Sequence, residues 1–189
     1  MGVLKYAILG LLDKENLSGY DITQRFQEEI GHFWSANHSQ IYPELEKLTQ
    51  EGFIEFETLI HGVKLEKKMY SITTKGRQEL HEWLVQAMLI PKTQKDAFML
   101  KAYFFSSMQL EEAKLQFWDQ LNKRREKFAY LSKRMNALEK DYNFSFSPFS
   151  PHFGHYLVLT RALEREQGYI LWLEKSLAAM NHETNDDGV

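Results

Sequence analysis

Residues 53–73, FIEFETLIHGVKLEKKMYSIT, decide how this chain folds. Ile54, Phe56 and Ile60 stand among Glu55, Glu57 and Leu59, a strand-like alternation. After the Gly62 turn, KKMYSIT is again rich in strand formers. Two short runs around a glycine-containing turn predict a β-hairpin. On both sides of it the sequence keeps a helical period. TTKGRQELHEWLVQAM, capped by Thr73 or Thr74, predicts a helix with Leu80, Trp83, Leu84 and Met88 inside.

Before the hairpin, NHSQIYPELEKL (37–48) places Ile41, Leu45 and Leu48 on one helix face, with Asn37 as cap. Gly52 suits the left-handed position that ends such a helix. Further back, LSGYDITQRFQEEIGHFW opens with Ser18, a good cap, and spaces Ile22, Phe26, Ile30 and Phe33 as one buried stripe. GVLKYAILGLLDKE predicts a first helix over residues 3–13. Helix, helix, helix, hairpin is the order of a winged helix-turn-helix. In that arrangement the third helix enters a DNA major groove and the hairpin wing reaches phosphate or minor groove.

The outer face of the third helix fits that task. It shows Asn37, His38, Ser39, Gln40 and Tyr42, with no Lys or Arg in its first two turns. Gln40 and Asn37 can make bidentate contacts to adenine, and Ser39 and His38 can reach bases or phosphates. Tyr42 can donate to phosphate or pack on a thymine methyl. Cations are expected from the wing. Residues 61–77 hold Lys64, Lys67, Lys68, Lys75 and Arg77 against Glu66, five bases to one acid. A solvated hairpin tip would look similar, but this cluster lies where a wing meets phosphates. Lys64, Lys67 and Lys68 are the expected wing contacts. Ser18 and Tyr20, at the start of the second helix, are expected near backbone phosphates, with a core role equally open for Tyr20.

A net charge of −3 argues against wholesale nucleic-acid coating but leaves room for a local basic site. The absence of cysteine excludes disulfides, thiolate catalysis and Cys-ligated metal. YAILGLL is too short for a membrane span and lacks the flanks of a signal peptide, so a cytoplasmic protein is expected. His152 and His155 sit three apart without a third ligand. With no glycine-rich phosphate loop and no evident nucleophile, neither an enzyme nor a metal or cofactor site is expected.

IPKTQ marks a boundary, giving a DNA-binding domain over 1–90, a helical domain over 91–182 and a polar tail over 183–189. TQKDAFMLKAYFFSSM predicts one helix and residues 110–142 a long one. In the latter, Phe117, Leu121, Arg124, Phe128, Leu131, Met135, Leu138 and Tyr142 alternate spacings of four and three. That is a heptad seam with Arg124 its one polar member. NFSFSPFSPHF reads as a loop. In the last helix Tyr156, Leu163, Ile170 and Leu177 lie seven apart, while Leu159, Leu173 and Met180 hold the alternate position, interrupted by Glu166. The two seams read as dimerisation helices, with Leu159, Leu163, Ile170, Leu173 and Leu177 at the interface. The alternative is an antiparallel pair within one chain. The expected fold is therefore mainly α with a small β-hairpin: an N-terminal winged helix-turn-helix and a C-terminal α-helical dimerisation domain.

LKYAILGLL, LSGYDI, HSQIYPELEKLTQEGFI and YSITTKG, in this order, resemble the PadR family of bacterial transcriptional regulators. KLEKKMYSIT, FMLKAYFF and FGHYLVLTRALERE extend the resemblance over nearly the whole chain, most loosely over about 109–150. It implies a homodimeric repressor on an inverted-repeat operator ahead of a phenolic acid decarboxylase gene. Hydroxycinnamic acids such as p-coumarate or ferulate would release it. A repressor of this family that senses another compound would share the same DNA-binding half. A coiled-coil interaction protein with a vestigial winged helix is a third reading.

A phenolic acid effector needs apolar walls for its ring and a cation or several donors for its carboxylate. Tyr6, Phe33, Trp34, Phe98 and Tyr103 are candidate walls. His155, Tyr156 and Arg161 are candidate polar partners. Core packing is the competing role of each aromatic.

Overall fold

In the computed structural model, residues 2–31, 33–34, 36–61, 65–88, 95–141, 148, 150 and 152–186 are described. Side chains at 60–61, 65–66, 141 and 182–186 are left aside. The chain divides into two compact units, residues 1–90 and 91–189.

In the first unit, α1 (Leu4–Lys14) buries Ile8, Leu9, Leu11 and Leu12. The strand β1 (Leu17–Ser18) follows and runs straight into α2 (Gly19–Arg25). Ser18 is both the last strand residue and the helix cap. Its Oγ accepts the Asp21 N–H at 3.2 Å, and the Asp21 carboxylate accepts the Ser18 N–H at 3.1 Å. The two orphan donors of the helix start are thus satisfied reciprocally. From Phe26 to Ile30 the helix widens into a π-turn. An i→i+5 turn advances the phase by about one residue. The expected stripe accordingly ends early: Ile22 and Phe26 are buried and Ile30 partly so, but Phe33 is exposed.

The third helix, α3 (His38–Gln50), buries Ile41, Leu45 and Leu48 completely. It stops at Gly52, whose φ of +74° puts it in the left-handed region. The hairpin strands are β2 (Ile54–His61) and β3 (Leu65–Ile72), paired with Ile54 opposite Ile72 and Phe56 opposite Tyr70. β1 pairs with the free edge of β3, so the sheet has three antiparallel strands in the order β1-β3-β2. A two-residue strand is too short for an alternation to show in sequence, which is why only a hairpin was expected.

α4 (Thr74–Leu84) starts at Thr73, whose Oγ1 accepts the Gly76 N–H. A Cβ on Gly76 would fall 2.1 Å from the Phe53 carbonyl oxygen, so only glycine allows α4 this close to the start of β2. Leu80 is buried and Trp83 partly so. Leu84 and Met88, expected inside, are exposed, because the helix ends at Leu84.

In the second unit, α5 (Ala97–Tyr103) is shorter than expected. Asp96 caps it, and it passes into one 3-10 turn over Phe105–Ser107. Two long helices follow, α6 (Leu110–Asp141) and α7 (Phe153–Asp186). Phe117 and Leu121 cluster with Leu173, Leu177 and Met180, whereas Leu131, Met135 and Leu138 cluster with Leu159 and Ala162. Early α6 therefore meets late α7, and the pair is antiparallel. Leu159, Leu173 and Leu177, expected to face a second copy, are buried within one chain, while Leu163 and Ile170 are partly buried beside them. The two seams pack on one another within the chain, while Tyr156, Leu163 and Ile170 keep part of their surface uncovered. Tyr142 lies outside the described residues.

The polar breaks in the two seams meet. Glu166 is fully buried and lies 2.9 Å from Arg124, 3.3 Å from Lys127 and 3.2 Å from Arg165. Arg124 also covers the Tyr169 ring at 3.9 Å, and the Tyr169 hydroxyl donates to Asp96 at 3.2 Å. Burial pushes the Glu166 carboxyl up, but Arg124 and Lys127 outweigh it and hold the group below its usual range. Among the described residues, no helix is long and apolar enough to cross a membrane.

Candidate nucleic-acid interface

The exposed end of α3 is organised before anything binds it. Asn37, His38, Ser39 and Gln40 are all exposed. The Ser39 hydroxyl donates to Asn37 Oδ1 at 2.7 Å, and Gln40 Oε1 accepts the Asn37 N–H at 3.2 Å. His38 and Tyr42 stack at 4.2 Å between ring centroids. The Tyr42 ring lies across the start of α2, where a Cβ on Gly19 would come within 2.9 Å of its Cζ and Oη. Gly19 therefore seats Tyr42, and Tyr42 seats His38. The set presents hydroxyl, amide and imidazole groups, donors and acceptors that base edges can meet. The Asn37 amide N–H groups and the Ser39 oxygen lone pairs stay available to a base.

Tyr20 is 69% exposed, which removes its core role and leaves it on the surface. Ser18 is a correction. It is 3% exposed, and its hydroxyl donates to Asp21 at 2.6 Å, so it is committed to the cap and cannot reach a phosphate.

The described members of the basic cluster all have partners within the chain. Lys75 donates to the Glu51 carbonyl at 2.7 Å, closing the end of α3, and lies over the Phe53 ring. Arg77 pairs with Asp13. Lys68 lies 4.3 Å over the Phe56 ring, on the sheet face that carries Tyr70. Lys67 Nζ is 3.1 Å from Asp21 Oδ2. Lys64 lies outside the described residues. The Asp21 carboxyl is held below its usual range, by the Ser18 hydroxyl first and by Lys67 also, against the opposing effect of burial. Asp21 was not singled out in the sequence, although Ser18-x-x-Asp21 is a legible capping box.

Of the candidate effector residues, Tyr6, Phe33 and Trp34 belong to the first unit and Phe98, Tyr103, His155, Tyr156 and Arg161 to the second. Tyr6 stacks on Trp83 at 4.5 Å and donates to Glu79 at 3.0 Å, within the first unit. Phe33 and Trp34 lie in that unit beyond the π-turn. Phe98 is buried against Phe117 and near Trp172. Tyr103 is 81% exposed, edge-on to Phe104. His155 and Tyr156 begin α7, at its other end, and Arg161 is exposed beside Glu164. Tyr156 and Trp172 are sixteen residues apart on α7, about 24 Å along the axis, so one small ligand cannot touch both ends in a single chain. The second unit does contain an open cavity of about 670 Å³, lined by Leu100, Lys101, Phe104, Met108, Glu112 and Leu115. The sequence reading missed it, because residues 104–108, part of its wall, were read as a continuation of the helix that ends at Tyr103. Among the described residues, no group of His, Asp and Glu is placed to hold a metal ion.

Residues 8–82 match the transcriptional regulator PadR-like family, and residues 94–181 match the virulence activator alpha C-terminal family. The chain is 59% identical over 184 residues to the negative transcriptional regulator PadR of Bacillus subtilis, covering 96% of this chain and 99% of that one. Its fold superposes on the crystal structure of B. subtilis PadR in complex with operator DNA with a TM-score of 0.89, at 61% identity over 95% of this chain and 99% of that one. For the crystal structure of B. subtilis PadR in complex with p-coumaric acid the TM-score is 0.81, at 57% identity with the same coverage.

Proposed function

The chain belongs to the PadR-like family of transcriptional regulators, and on that premise we propose that it represses expression of a phenolic acid decarboxylase and lets go when hydroxycinnamic acids such as p-coumarate or ferulate bind. It is a regulator, not an enzyme. The observation that carries the proposal is the prearranged first turn of α3, exposed and neutral on a winged helix. It is supported by the relative solved with operator DNA and with p-coumaric acid.

His38, Ser39, Gln40 and Tyr42 read bases in the major groove, with Asn37 and Tyr20 at the margin. Lys64, Lys67 and Lys68 on the wing meet phosphates. Two copies present two α3 helices to an inverted repeat, one helical turn of DNA apart. Because the α6–α7 seams pack on one another within the chain, the second copy docks elsewhere. The exposed apolar side chains Leu100, Phe104, Leu115 and Trp118 offer such a face on the second unit. The protein works in the cytoplasm.

A gel shift tests the reading. The protein is mixed with its own upstream region and with any neighbouring decarboxylase promoter, with and without p-coumarate. Retardation relieved by p-coumarate, and not by an unrelated aromatic acid, is expected. No retardation at low salt would refute DNA binding, and retardation indifferent to p-coumarate would refute the effector.

A further inference from the structure

Lys67 and Asp21 form a pair with one fixed and one mobile member. Their side chains are 44% and 33% exposed, and the contact is 3.1 Å. Asp21 cannot easily turn away. The same Oδ2 accepts the Ser18 N–H and hydroxyl at 3.1 and 2.6 Å, and the Asp21 N–H returns to Ser18 Oγ at 3.2 Å. Lys67 is a point charge on a flexible four-carbon stem with no such ties. It extends from β3, the middle strand, whose β1 edge leads directly into the start of α2. Its neighbour Lys68 lies over Phe56, on the opposite face of the sheet from Lys67. Lys67 is thus a wing cation that a modest rotation can redirect.

We propose that Asp21 is a positioning residue of the DNA interface: in the free protein it holds Lys67 against the start of α2, and on docking Lys67 leaves Asp21 for a backbone phosphate. The contact is then an exchange, in which one ion pair is lost for the one gained. Attraction to any duplex falls by what the internal pair is worth, while base reading on α3 is untouched. Asp21 so tempers sequence-independent binding without facing a base. The inference rests on the DNA-binding reading above.

The test is equilibrium binding by fluorescence anisotropy over a salt series. The probes are a duplex of the chain's own upstream region and a scrambled duplex of the same composition. Asp21→Asn keeps an oxygen for the Ser18 cap but removes the charge. It should bind both duplexes tighter, by roughly two- to fivefold, the worth of an exposed pair. The gain should be largest at low salt and fade as screening weakens the pair. Lys67→Gln should weaken binding to both duplexes and make the salt slope shallower by about one. The double variant should match Lys67→Gln alone. If Asp21→Asn does not fold, the Lys67→Gln slope still decides, since a purely structural pair lowers the melting temperature and leaves the slope as it was. An Asp21→Asn affinity equal to wild type would overturn the exchange. So would an equal gain in the Lys67→Gln background, which would make Asp21 a simple repeller of DNA. Wild type that binds neither duplex fails the DNA reading itself, whereas wild type that binds with all variants alike fails the exchange alone.

Discussion

Gly19 shows how little of the interface is chemistry and how much is support. It has no side chain to offer DNA, yet a methyl there would meet Tyr42 at 2.9 Å. The obstacle is the far end of a mobile ring, so the fold should survive. Gly19→Ala should melt within a few degrees of wild type while binding its operator roughly five- to tenfold more weakly, about one lost contact. Gly76→Ala is the contrast. Its methyl meets backbone at 2.1 Å, and the loss should be at least about 2 kcal/mol in urea unfolding. Gln40→Ala should relax base preference, read as a smaller ratio between operator and scrambled duplex. At this scale the sequence was legible for caps: Ser18, Asn37 and Thr73 all sit where expected. It was silent on commitment. Nothing in a string of letters says that the Ser18 hydroxyl is turned inward or that Lys75 closes a helix end, because both depend on contacts across the fold.

At the scale of elements, periodicity did most of the work. The alternation in 54–60 and the apolar spacing of Ile41, Leu45 and Leu48 each returned the element they predicted. Period alone failed where the backbone left its regular form. The π-turn over Phe26–Ile30 shifted the phase and exposed Phe33, and the 3-10 turn after Tyr103 split one expected helix. The seams in α6 and α7 were legible as seams, but a heptad does not name its partner. The clue lay in their flaws. Arg124 and Glu166 each spoiled a seam, and a buried charge needs its complement. Glu166→Leu leaves Arg124 with no carboxylate in the seam and should destabilise the second unit by about 3 kcal/mol. The double change Arg124→Leu with Glu166→Leu should recover most of that loss in the same urea titration.

Acid bears on the whole molecule. Asp21 and Glu79 in the first unit, and Asp96 and Glu166 in the second, all sit below their usual range. For Glu79 the main cause is the Lys5 ammonium, with Tyr6 assisting against burial. For Asp96, burial is outweighed by the N–H groups of Met99 and Phe98 and by Tyr169. A carboxyl lowered by folding stabilises above its unfolded value, and that stability is lost as pH falls through the lowered one. Melting temperature should therefore hold near pH 7 and drop once pH passes below about 4. Circular dichroism melts at about pH 7 and about pH 3.5 would show it, and equal melting points would contradict the shifts. Association belongs to this scale as well. Leu115→Glu should convert the proposed homodimer to monomer in light scattering, weaken binding to an inverted repeat, and lower the melting temperature in a way that depends on protein concentration for wild type but not for the variant.

The meeting of Arg124 with Glu166 also limits how a signal can travel. Sliding α6 along α7 by one turn, about 5.4 Å, would carry Arg124 away from the buried carboxylate that Lys127 and Arg165 also touch. A ratchet between these two helices therefore costs the contact between Arg124 and Glu166. Movement of α6 and α7 together, as one body, costs none of these contacts.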